Sequence, residues 1–462
     1  MAPGRKKVPH RIASFLLLCL CMSATFTSLA RVGGAGGHGG FSGGHGGGGF
    51  GYGGGGYGYG IGGSPVLIVI IIIIMVVYFY SKQNRGGNVD TINPEPPVSQ
   101  TFPEGLDPQK VAGSFIAIQN AWQQKDLTNV RKWLSDGMYQ RLSKQFKMMN
   151  ILDQRNVLDN IRIHNIATAG TSIDGQYQTA DVAISFSMDD SFVSTKYPEF
   201  NETYDSDTDI EFWTFIKRTD SANEKNLYDN NNCPNCGAPF EVKMGEISRC
   251  SNCNTLTNSA AYDWVLSEIT QQAEYNRGAG LREDVVIRDL MKNDPFFAMQ
   301  RMEDIASNIF MQVMDVLTGS DKKRLTRFAD EATTDAVNRQ MQNSKPFVFD
   351  RLYINNVNLG GCTVEGDVVK FHFDLIATYR RVAISDRLQM LDNDFVTRHF
   401  RMELSRNKDV LGKKNKGETV YSYECSNCGA PYTDTTEEHC TYCDAPVVDI
   451  KRNWVLTGFS WV

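Results

Sequence analysis

The sequence predicts an α+β protein. It has two tandem units, helices on one face of a mostly antiparallel sheet in each, and a four-cysteine metal loop inserted into each unit. Three observations predict this. Eight cysteines fall into two quartets of matched spacing, the apolar period changes from helical to strand-like within each half, and the halves match one another at an offset of about 190 residues. At 462 residues the chain is long enough for two or three domains.

The quartets come first. Cys233, Cys236, Cys250 and Cys253 read C-x2-C-x13-C-x2-C, and Cys425, Cys428, Cys440 and Cys443 read C-x2-C-x11-C-x2-C. Each C-x2-C pair lets a tight turn aim two thiolates at one point, and two such turns complete a tetrahedron of sulfur. The runs CPNCGAP and CSNCGAP supply glycine where the turn needs a positive φ. Four sulfurs leave no open coordination position, so a structural rather than a catalytic metal is expected, and two zinc ions are expected ahead of iron–sulfur clusters. Disulfide pairing competes only in an oxidising compartment. His439, beside Cys440, is read as a bystander, and Cys362 as a small buried apolar residue.

The period change and the repeat come next. A helical stripe of Val111, Phe115, Ile118 and Trp122 is answered by Met302, Ile305, Ile309 and Val313. KDLTNVRKWLSD from Lys125 parallels SDKKRLTRFADE from Ser320, matching Val130 with Leu325 and Trp133 with Phe328. Alternating Val182, Ile184, Phe186 and Met188 are matched with Val369, Phe371, Phe373 and Leu375. Phe212, Thr214 and Ile216 are matched with Phe400, Met402 and Leu404, and Trp264-Val265-Leu266 with Trp454-Val455-Leu456. Each quartet then lies between the last two strands of its unit, where a metal would close a long hairpin loop and hold the Trp-bearing strand in register.

Trp122 followed by Lys125-Asp126-Leu127, the strand EFWTFIKR from Glu211 to Arg218, and WVLSEI from Trp264 resemble the Tim44-like domain family. That domain forms the C-terminal part of the mitochondrial import inner membrane translocase subunit of that name and occurs in bacterial membrane-anchored proteins. The resemblance covers most of 105–270 and, more weakly, 290–462, where the first tryptophan is replaced. It implies two cone-like units of the nuclear-transport-factor-two-like superfamily. The metal insertions depart from the mitochondrial pattern. The chaperone-binding N-terminal region of the mitochondrial protein has no counterpart, so the import role is not carried over.

The N-terminal fifth of the chain is expected to anchor this body. Arg5, Lys6, Lys7 and Arg11 precede an apolar stretch from Ile12, and Ser28 and Ala30 fit the −3 and −1 positions of a signal-peptidase site, so 1–30 is read as a signal peptide. Residues 31–63 hold 21 of the 41 glycines and cannot build a core, which makes them a flexible segment. The isoleucine-rich run Val66–Tyr80, with its flanks, places a transmembrane helix at 64–81, bordered by Tyr57, Tyr59, Tyr78, Phe79 and Tyr80. Lys82 and Arg85 just beyond it, and the signal before it, both put the C-terminal body in the cytoplasm. The expected order is therefore signal 1–30, glycine-rich segment 31–63, span 64–81, linker 82–104, first domain 105–270 with a ribbon at 233–253, linker 271–293, and second domain 294–462 with a ribbon at 425–443. A single-pass protein of a cell membrane, of the bacterial inner-membrane kind, is expected.

Charge narrows the partners. The chain carries −6, and setting aside the seven basic residues and one acidic residue up to Asp90 leaves the body near −12. An acidic body lacks the lysine and arginine clusters that neutralise phosphates, so no nucleic acid partner is expected. His164, His372 and His399 lie in strand-like stretches, with His372 alternating away from apolar Phe371 and Phe373. No nucleophile–base order, phosphate-cradling glycine loop or open metal site appears, so no catalytic residues and no enzyme are expected. What remains is a binding role. The first reading is a membrane-proximal platform that docks membrane-associated proteins beside the lipids. The alternative is a lipid or small apolar ligand in the cone pockets. An enzyme of the same superfamily ranks last.

Overall fold

A computed structural model describes residues 99–461, except 206–207, 222–224, 241–243, 276–283, 343–345, 385–387, 409–424, 426, 429, 431–438 and 448–453. The expected signal at 1–30, the glycine-rich segment at 31–63 and the span at 64–81 lie outside the described residues. Among those residues, no helix is long and apolar enough to cross a membrane.

The first half opens with helix α1 (Pro108–Gln124). Asp107 caps it by accepting from the Lys110 N–H at 2.8 Å, and Pro108 supplies a pre-set φ at the first turn. A 3-10 turn at Arg131–Trp133 leads to α2 (Asp136–Ile151), capped by Ser135. Then come β1 (Gln154–Asp174), β2 (Tyr177–Ser194), β3 (Glu202–Asp205), β4 (Asp209–Arg218) and β5 (Val265–Gln271). Strand order is β1-β2-β4-β5 with β3 paired to β2, and every pairing is antiparallel. The stripe Val111, Phe115, Ile118 and Trp122 is buried against Val182, Ile184, Phe186 and Trp213 of the sheet.

The second half repeats this plan. Helix α3 (Val285–Asn293) occupies part of the stretch read as a linker. After it come α4 (Met299–Leu317), a 3-10 turn at Lys322–Arg327 and α5 (Glu331–Gln342). The strands are β6 (Phe347–Glu365), β7 (Val368–Ala383), β8 (Gln389–Met390), β9 (Val396–Asn407) and β10 (Val455–Trp461). Their order, β10-β9-β7-β6 with β8 on β7, is that of the first sheet. Even a small joint recurs. Ser135, the cap of α2, donates its N–H to the Leu266 carbonyl, and Asp330, whose side chain accepts from Thr333 in the first turn of α5, donates to Leu456, both at 3.0 Å.

The duplication is therefore structural, but three matched registers shift. Gly175 and Gly366 stand in equivalent turns at positive φ, so Val182 answers Phe373 rather than Val369. In α4 the buried stripe is Met302, Ala306, Ile309 and Val313, with Ile305 only half-buried. In β4 the residues facing the helices are Trp213 and Phe215. Phe212 and Ile216 point to the other face, where they pack against Tyr275 and Val265. Phe215 answers Leu404, because each pairs with the leucine of the last strand. Both faces of β4 are buried, so alternation in the sequence carries no parity there, and a one-residue slip inverts the assignment.

Ser99–Val462 falls in one compact unit. The halves meet where α2 packs on α4. Asp315 receives Lys144 at 2.8 Å and Lys147 at 2.6 Å, Arg141 reaches Ser307 at 2.6 Å, and Asp304 takes the Ser135 hydroxyl at 2.5 Å and the Gly137 N–H at 3.1 Å. Asp174, at the end of the first hairpin, accepts from the N–H groups of Met299 and Gln300, both at 2.9 Å, and so caps α4. A bulge between Asp350 and Leu352 puts Arg351 at φ 58° and turns its buried side chain to Glu202 of the first half, 2.7 Å away.

Candidate metal centres

Both quartets sit in the loop between the last two strands of their half. In the first, the Cys233 and Cys253 sulfurs are 3.6 Å apart, and those of Cys236 and Cys250 are 3.8 Å apart. In the second, Cys425 and Cys443 are 3.6 Å apart, and Cys428 and Cys440 are 3.7 Å apart. Within each quartet all four sulfurs lie within 4.8 Å of one another. Four sulfurs placed tetrahedrally about 2.3 Å from a zinc ion would be separated by about 3.8 Å. The donor set and its dimensions fit a closed structural site for a metal such as zinc. All eight thiols are free of disulfides.

Local backbone chemistry builds the tetrahedra. In the first quartet the Cys233 N–H bonds the Ala238 carbonyl at 2.7 Å, and the Gly237 N–H returns to Cys233 at 2.9 Å, with Gly237 at φ 75°. The second turn repeats this with Asn254 at φ 60° in place of glycine, its N–H bonding the Cys250 carbonyl at 2.9 Å. In the second quartet Asp444, at φ 59°, plays that part on Cys440. Asparagine and aspartate tolerate the left-handed region, which explains how two turns manage without glycine. Gly429 lies outside the described residues. In both quartets the first and third cysteines are buried, the second is exposed and the fourth is half-buried.

Three asparagines not singled out by the spacing argument complete the sites. Asn235, Asn252 and Asn427 each direct a side-chain amide to a sulfur of the opposite turn, Cys253, Cys236 and Cys443, at 3.7, 3.4 and 3.5 Å. The amides of Asn252 and Asn427 hold Cys236 and Cys443 below the ordinary thiol range, while burial pushes Cys233 up to about 12. The signal was present in the sequence, since three of the four turns read C-x-N-C. The fourth carries Tyr442 at that position, 70% exposed.

The two loops are tied to the body differently. Arg131, fully buried, donates to the carbonyls of Gly245 at 2.8 Å, Glu246 at 2.6 Å and Leu134 at 2.9 Å, and pairs with Asp136 at 2.7 Å. Asn258 adds bonds of 2.9 Å to Leu134 and Asp136, and Tyr228 stacks on Trp133 with ring centroids 4.7 Å apart. The Glu246 carboxylate continues to Arg324 of the second half. After the second loop, Trp454 stacks on Phe371 at 4.8 Å and lies under Arg406, itself paired with Asp294 at 2.5 Å.

The remaining residues noted in the sequence are dispersed. His164 is exposed and bonds Ser187 at 2.9 Å, His372 faces out beside Thr363 at 2.9 Å, and His399 is exposed. His439 pairs through its backbone with Pro446 and stands outside the sulfur cluster. Cys362 is half-buried on β6 rather than in the core, with burial raising its thiol to about 12.

No curated protein matches the sequence. Two solved structures are similar to parts of it. The crystal structure of the intermembrane space region of the chloroplast protein ARC6 is 12% identical, covers 36% of this chain and 97% of that one, and gives a TM-score of 0.19. An Ntf2-like protein involved in plasmid conjugation is 8% identical, covers 63% and 92%, and gives 0.12. The model of one family, the Tim44-like domain, matches residues 103–226.

Proposed function

With a Tim44-like domain at residues 103–226, we propose that this chain is a membrane-tethered, non-catalytic scaffold. A span at 64–81 holds the duplicated body, two zinc-stapled cones, at the cytoplasmic face. There it docks proteins engaged in membrane-protein assembly or transport. The observation that carries the reading is the family match, since Tim44-like domains are in general membrane-associated binding modules.

Two features of the body support it. Where Trp122, Leu142 and Ile269 meet Met311 and Leu352 of the second half, the cavity is about 20 Å³, room for about one water and not for a lipid. The free thiols of both quartets suit a reducing compartment. The test is crosslinking of the full chain in its native membrane, followed by pull-down, against a control carrying residues 1–98 alone. Proteins recovered with the full chain and not with the control support docking; identical recoveries refute it.

An apolar ligand, the second reading, has one specific site in its favour. A groove of about 530 Å³ runs between α2 and the first metal loop, lined by Lys125, Leu127, Phe146, Lys147, Ile151 and Met244. Native mass spectrometry after mild extraction separates the readings, because a lipid held there travels with the chain.

A further inference from the structure

The two halves differ along the outer edge of the last strand. In the first half β5 is covered. Ile269 and Gln271 are buried, Ile269 shares a small cavity with Met311, Leu352, Tyr353 and Ile354 of the second half, and the Gln300 amide reaches Ser267 and Glu268 at 3.4 and 3.2 Å. In the second half β10 pairs with β9 on one side. Beyond Leu456 its other edge carries no strand among the described residues.

The residues on that edge changed in character as well. Phe459 answers Ile269, Trp461 answers Gln271, and Phe400 answers Glu211, by the shared pairing of the last two strands. Where the first half seals a Gln271–Glu211 hydrogen bond of 3.1 Å, the second stacks Trp461 on Phe400 at 4.9 Å and near Phe459 at 6.2 Å. Glu211 and Gln271 are buried, whereas in the second half Phe400 is buried, Phe459 half-buried and Trp461 39% exposed. Native edges that stay single carry charge or proline against pairing; Val455–Trp461 has neither, and its one bulge, at Thr457, precedes the open stretch.

We propose that the free edge of β10 is a self-association surface. Two copies pair β10 with β10, antiparallel about a two-fold axis, joining their second sheets and burying Phe459 and Trp461. The occupant is a second copy because this face of the fold already binds a unit of the same fold within the chain. A head-to-tail repeat of that internal interface is disfavoured by charge. Asp304 and Asp315, which receive Ser135, Lys144 and Lys147, are answered in α1 by Gly113 and Gln124. A two-fold pairing needs only the uncharged edge, and it closes.

The test is sedimentation velocity of the full chain in mild detergent from about 0.1 to about 20 µM, beside Ser460→Lys and Trp461→Ala. Ser460 is exposed, so its lysine is tolerated in the single chain while charging the paired edge. A concentration-dependent dimer is expected, weakened about tenfold or more by each variant, with far-UV circular dichroism and metal content unchanged. A chain that stays monomeric over the whole range overturns the proposal, as does a dimer indifferent to both variants. Trp461-dependent attachment of monomers to lipid vesicles, without a dimer, also overturns it by naming the membrane as the occupant.

Discussion

Arg131→Met tests whether the first metal loop is part of the core or only a clip on a hairpin. The guanidinium is fully buried and spends its donors on three carbonyls and one carboxylate at 2.6–2.9 Å. Methionine fills similar volume but offers none of these donors. The carbonyls of Gly245 and Glu246 then lose this partner inside the fold, and Asp136 loses its cationic partner. Removing one member of a buried, hydrogen-bonded ion pair costs about 3–5 kcal/mol. The four sulfurs are untouched, so two metals should remain bound while stability falls by about that amount. Urea unfolding followed by the fluorescence of buried Trp122, Trp133, Trp213 and Trp264 gives the difference, and hydrogen exchange should rise first around 244–248. A loss below about 1 kcal/mol, with unchanged exchange there, would refute the welded loop.

Cys236→Ser, at an exposed ligand position, should drop metal content from two ions per chain to one by elemental analysis; retention of two would exclude this quartet as a site. Asp304 is half-buried, and desolvation at the α2–α4 contact pushes its carboxyl up to about 6, so the folded state holds its proton more tightly than the unfolded chain. Its contribution is fully present below about pH 4 and is lost as pH rises through about 6, a change of up to about 3 kcal/mol. Asp304→Asn should flatten that part of the pH–stability curve, and an unchanged slope would count against it. A Cβ on Gly137 would meet the Asp304 carboxylate at 2.3 Å and its backbone oxygen at 2.5 Å. Gly137→Ala should therefore cost about 1–3 kcal/mol in a thermal melt, despite the helix-propensity gain of about 1 kcal/mol that would win if α2 and α4 were farther apart.

Much of the candidate site was legible because its chemistry is local. Two cysteines two residues apart can aim at one ion only through a tight turn, and the structure brings all eight into two tetrahedra of the expected size. The turn residues Asn254 and Asp444 were less legible, since nothing in their identity demands a positive φ as glycine does. Arg131 was invisible for another reason. Its partners at Gly245 and Glu246 are more than a hundred residues away, and they are backbone carbonyls with no signature in the sequence.

The sequence by itself determined the first helix stripe, the strand-rich second part of each half, the duplication and the eight cysteines that gather into two clusters. These rest on periodicity within a few residues or on spacing within one loop. Only the tertiary structure decided which face of β4 turns inward, because a strand buried on both sides shows no alternation to read. It also decided that Lys144 and Lys147 find Asp315, that Arg351 reaches Glu202 of the other half, and that β5 is covered while the outer edge of β10 carries no strand among the described residues. Those outcomes depend on how one half lies against the other, and residues so distant in sequence share no local pattern that could record it.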